Sequence, residues 1–64
     1  MVNWSLVKQV VGNEVVRKFS SGSISGRTLT SLAKNTKAAG EVRFALREHG
    51  VEGSRRLAKR SLSR

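Results

Sequence analysis

From Thr28 to Gly50 the chain reads TLTSLAKNTKAAGEVRFALREHG, two runs of helical spacing parted by a break. In the first run Leu29, Leu32, Ala33 and Thr36 stand at i, i+3, i+4 and i+7, a narrow inward stripe with Lys34 on another face. Asn35 and Thr36 weaken that helix, and the stretch Lys37 to Gly40 is expected to end it, with Gly40 breaking the run or taking a positive φ. The second run, Glu41 to His49, places Val42, Ala45, Leu46 and His49 on one inner face. Arg43 and Arg47 form a neighbouring flank, and Phe44 falls nearly opposite the inner face. Glu41 near its start, with Arg47 and His49 near its end, complements the helix dipole, and Gly50 closes it. The remaining segments must pack against this pair or extend its charge.

Met1 to Phe19 holds most of the bulky apolar side chains, arranged as pairs: Leu6 with Val7, Val10 with Val11, Val15 with Val16, then Phe19. Trp4, Val7 and Val11 fit one face of a helix, which Asn3 is placed to cap. Gly12-Asn13-Glu14 then shifts the register, so a straight helix would carry Val16 off the stripe. Two structures answer that shift. One is a helix that ends or bends near Gly12 and resumes. The other is a β-hairpin with Gly12-Asn13 as its turn. The helix is the stronger expectation, because neither arm alternates cleanly and two strands alone are marginal in water.

Ser20 to Gly26, SSGSISG, reads as a flexible connection anchored by Ile24, with Ser or Thr ready to start the next helix. Its spacing fits no phosphate-binding glycine loop. Val51 to Arg64, VEGSRRLAKRSLSR, carries five basic residues and no acid after Glu52. As a helix it aligns Arg55 with Lys59 and Arg56 with Arg60, and such like-charge pairs are mildly unfavourable. Residues 53–64 are therefore expected to behave as a basic tail that orders on an anion, with Leu57 and Leu62 a weak footing. Residues 1–52 would form the helical domain.

Charge narrows the function classes. The net charge is +9, of which residues 1–32 carry +3 and residues 33–64 carry +6. A charge so placed favours a polyanion, nucleic acid first and an anionic membrane second. There is no Cys, hence no disulfide and no thiolate metal site, and a lone His49 builds no metal cluster. No nucleophile, base and acid are spaced for catalysis, so neither an enzyme, a cofactor nor a small-molecule substrate is expected. No apolar run is long enough to span a bilayer, and no signal peptide is expected. A chain of 64 residues buries a modest core, for which helices, with or without a second copy, are the economical solution.

Leu32-Ala33 entering the break and Val42-Arg43, Ala45-Leu46-Arg47 and Gly50 leaving it resemble the helix-turn-helix of winged-helix DNA-binding regulators of the GntR type, over residues 32–53. The resemblance implies that Arg43 and Arg47 face DNA. The chain departs from that pattern in a turn one residue short, in Lys37 where a turn glycine is usual, and in Thr36 where an apolar side chain is usual. No strand pair follows to make a wing.

The expected architecture is all-α, a small three- or four-helix domain with a helix-turn-helix-like pair and a basic C-terminal tail. Its expected partner is duplex DNA, reached through Lys37, Arg43, Arg47, Arg55, Arg56, Lys59 and Arg60. A phage- or plasmid-type regulator and an architectural factor both share this size and charge, and either would work in the cytoplasm on the nucleoid. Trp4 and Phe44 are the expected partner surface, and a homodimer stays open. Two alternatives carry a different partner. A membrane-active peptide would insert the N-terminal apolar helix beside anionic lipid. An RNA- or ribosome-binding peptide would be poorly served by three aromatic residues, Trp4, Phe19 and Phe44.

Overall fold

A computed structural model describes residues 2–63, leaving Met1 and Arg64, the outer ends of the two expected spans, outside the described residues. Among the described residues there are four helices and no strand: α1 (Trp4–Val11), α2 (Asn13–Ser21), α3 (Gly26–Ala33) and α4 (Ala39–Leu62). They fold into a body of 26 × 23 × 21 Å in which α4 touches every other helix and lies most extensively on α2.

The N-terminal segment is the broken helix, not the hairpin. Asn3 caps α1, its Oδ1 accepting from the Leu6 amide at 3.1 Å. Its own amide donates to Glu41 Oε1 at 2.8 Å, which ties the start of α1 to the start of α4. Gly12 alone separates α1 from α2, with φ +93° and ψ 150°, a conformation in which a Cβ is strained. That one residue resolves the register shift. Val7 before it and Val16 and Phe19 after it all reach 0% exposure.

Gly22 ends α2 in the left-handed conformation, with the Ser23 amide donating to Lys18 O at 2.8 Å and the Gly22 amide to Phe19 O at 3.1 Å. Ser25 caps α3 by accepting from the Thr28 amide at 3.1 Å. The first turn of α3 presses on α4, where a Cβ at Gly26 would meet Leu46 Cδ2 at 3.3 Å. That close approach rotates α3, so that Gly26, Leu29 and Ala33 point inward. Leu32, expected on the inner stripe, is consequently 49% exposed.

The turn after α3 is made by a residue other than the one the sequence suggested. Asn35 takes the positive φ, +67°, whereas Gly40 lies inside α4. Asn tolerates this conformation better than most side chains. Thr36 closes the turn by donating from Oγ1 to Ala33 O and accepting from the Ala38 amide at 3.1 Å.

Helix α4 has two arms, residues 39–49 and 51–62, hinged at Gly50 with φ +71° and ψ 178°. The corner projects from the body, and Arg47 through Glu52 are all exposed. His49, expected on the inner face, is therefore at the surface. The second arm corrects the expected tail. Ser54 and Ala58 are buried at 0% exposure, and Leu57 and Leu62 pack on the core. Small residues along one stripe let this arm lie close to the other helices, which offsets the like-charge spacing on its outer side. Trp4, expected at a partner surface, is 8% exposed and belongs to the core. A fold this small, with three aromatic residues, spends two of them inside.

Candidate nucleic-acid interface

Away from the buried stripe of α3 stand Arg27, Thr30 and Ser31. With Lys34 and Asn35 from the turn and Arg43 from the first arm, they line a cleft of about 840 Å³. A second notch, of about 270 Å³, follows along the first arm, lined by Gly40, Arg43, Phe44 and Arg47. Arg43 belongs to both. The combined face thus carries Arg27, Lys34, Arg43 and Arg47, hydroxyls from Thr30 and Ser31, and no acidic lining residue.

None of these four cations is paired: the salt bridge among the described residues joins Arg17 to Glu14 at 3.1 Å, elsewhere on α2. Their side chains are exposed, so the charge is presented to solvent. Phe44, 43% exposed, lines the notch with the two arginines and gives the face one apolar point. At Gly40 a Cβ would meet nothing within 4 Å, so the surface one turn before Phe44 is open. A concave run of unpaired guanidinium and ammonium groups suits phosphate oxygens: arginine offers paired donors, and the Ser31 hydroxyl adds a neutral one, that of Thr30 being spent on Gly26 O.

The other basic residues have separate placements. Lys37 is exposed in the turn after α3 and lines neither cleft. Arg56, Lys59 and Arg60 are exposed on the outer side of the second arm, opposite Ser54 and Ala58. Arg55 is part of the fold instead. Its Nε donates to Phe19 O at 3.0 Å and its Nη2 to Ile24 O at 3.2 Å, and the guanidinium carbon lies 5.2 Å from the centre of the Phe19 ring. Lys8 acts similarly, its Nζ donating to Ser61 O at 2.9 Å near the end of α4.

Sequence reasoning missed Arg27 and Lys34. Their signal was present, since Arg27, Ser31 and Lys34 stand at i, i+4 and i+7 and make one polar strip. Among the described residues no three acidic or histidine side chains come together to hold a metal, and no helix is long and apolar enough to cross a membrane. No protein-family model, curated protein or solved structure matches this chain, and the reading of its basic face rests on the chemistry of these residues.

Proposed function

We propose that the protein is a small DNA-binding module that docks duplex DNA on the α3–α4 face. The observation that carries this reading is the gathering of Arg27, Lys34, Arg43 and Arg47 from two helices onto one concave surface without an acid. Phosphate neutralisation supplies the attraction, because each contact releases condensed counterions. The first arm of α4 is the reading helix, with Arg43 and Arg47 directed at guanine edges or at phosphates beside the groove. The GntR-type resemblance, over residues 32–53, takes in the end of α3, the turn and that arm, here without a wing. The outer stripe of Arg56, Lys59 and Arg60 adds charge at longer range, as does Lys37, and Arg55 takes no part.

A protein of this kind acts on the nucleoid in the cytoplasm, as a phage- or plasmid-type transcriptional regulator or an architectural factor. DNA is favoured over the membrane alternative because the apolar stripe that would enter lipid is spent on the core: Trp4, Val7, Val16 and Phe19 are buried. Over RNA it is favoured by the shallow aromatic supply, with Phe44 the exposed ring.

The test is a titration of random-sequence duplex across salt concentrations, with single-stranded DNA and double-stranded RNA as competitors. Duplex DNA should bind with a steep salt dependence and resist both competitors. Replacing Arg27, Lys34, Arg43 and Arg47 together by Ala should reduce the salt slope by roughly 3 to 4, near one unit per lost phosphate contact. Unchanged affinity and slope would overturn the reading. Selection from a random duplex pool then separates the two roles, one enriched site meaning a regulator and none an architectural factor.

A further inference from the structure

Away from the α3–α4 face, α1 and the second arm of α4 leave a groove of about 480 Å³ between them. Its apolar lining comes from Val2, Trp4 and Leu57, and its cationic groups are Lys8 and Arg60, with His49 at the corner of α4. Among the described residues no acidic side chain lines it. The size falls in the range of small-molecule sites, roughly 300 to 1,000 Å³, and so does the pattern of an apolar wall with a few convergent polar groups. The fold makes no use of the Arg60 side chain, which has no hydrogen-bond or ion-pair partner among the described residues. Lys8 spends one donor on Ser61 O and keeps two of an ammonium's three.

We propose that this groove is a binding site for a small amphipathic monocarboxylate, its apolar body against Val2, Trp4 and Leu57 and its carboxylate between Lys8 and Arg60. Charge complementarity selects the head group, since two cations face the groove and no acid opposes them. The apolar lining selects the body and disfavours a phosphodiester backbone, which has no such face to bury. The arrangement also explains why a carboxylate and not a neutral lipid-like molecule is the fit: a neutral occupant would bury the wall but leave both cations partly desolvated without an acceptor. Arg60 also belongs to the outer basic stripe, but the groove does not rest on the DNA-binding reading, whose test replaces Arg27, Lys34, Arg43 and Arg47 and leaves this lining intact.

Trp4 is the single tryptophan of the chain and lines the groove, so its emission reports occupancy directly. Decanoate, titrated below its micellar concentration into the full chain, should change Trp4 emission saturably and raise the melting temperature. Decanol should bind about tenfold more weakly, for want of the charge-assisted hydrogen bonds, and acetate should not saturate the signal. Arg60→Glu, a change at an exposed side chain, should weaken decanoate at least about fivefold, whereas Lys18→Glu, an equal charge change on exposed α2 surface, should not. Four results would overturn the proposal: a response only once decanoate forms micelles, a fall in melting temperature, equal binding of decanol, or the same loss in both charge-reversed variants.

Discussion

Arg43 and Arg55 sit on the two arms of one helix, and the fold uses them in opposite ways. Arg43 looks into an open cleft with no partner among the described residues. Arg55 is turned inward onto two backbone carbonyls and the face of Phe19. The difference lies in what the neighbouring element offers. Helix α2 ends at Ser21 and the chain doubles back through Ile24, so carbonyls of Phe19 and Ile24 face the second arm. Phe19 O already accepts from the Gly22 amide and keeps a second lone pair, so Arg55 adds a bond there and another to the loop carbonyl of Ile24, close to the negative end of the α2 dipole. Beside the first arm stands α3, whose Arg27 is itself a cation and whose Thr30 Oγ1 donates to Gly26 O at 2.9 Å, and Arg43 stays free.

Substitutions that act on this contrast differ in size. Phe19→Ala removes the largest fully buried side chain together with the ring under Arg55, and should cost about 3–5 kcal/mol. For a chain of this length that is comparable with the whole stability, so urea unfolding followed by circular dichroism should find it largely unfolded. Arg55→Ala should cost about 2–3 kcal/mol, from two charge-assisted hydrogen bonds and the ring contact. Arg55→Lys should recover only part of that, because an ammonium cannot fork between two carbonyls as a guanidinium does. If Arg55→Ala leaves the unfolding midpoint in place, the contrast between the arms is broken.

Gly50→Ala tests the corner that separates the arms. Nothing lies within 4 Å of a Cβ there, so the penalty is one of backbone alone, and φ +71° with ψ 178° is a region almost reserved for glycine. The expected cost is about 1–3 kcal/mol in the same assay. Arg43→Ala should change stability least, by no more than about 0.5 kcal/mol, while lowering DNA affinity. A large stability loss there would mean that Arg43 is structural too.

Much of the architecture was legible because glycine and serine punctuate it. Gly12, Gly22 and Gly50 stand at the breaks, each with a positive φ, and Ser25 and Asn3 at the caps, each accepting from an amide three residues on. What sequence spacing missed were effects of one helix on another. The tail reading counted the like charges of the second arm but not the buried stripe of Ser54 and Ala58, which gains its energy only against the other helices. Leu32 was misplaced because the rotation of α3 follows the close approach of Gly26 to Leu46, a tertiary event invisible to periodicity, whereas the Arg27–Lys34 strip was present in the spacing and overlooked. Arg55 was read as a surface cation because its acceptors lie 36 and 31 residues away in the chain.

The central claim is that cations on the first arm bind DNA and that Arg55 on the second holds the fold. Its most direct test is the slope of log affinity against log salt for random duplex, measured for the wild type, the Arg43→Ala/Arg47→Ala double variant and Arg55→Ala, under conditions where all three are folded. The double variant should lose roughly 2 units of slope and Arg55→Ala none, since only the former removes phosphate contacts. A slope that drops for Arg55→Ala and holds for the double variant would contradict the account.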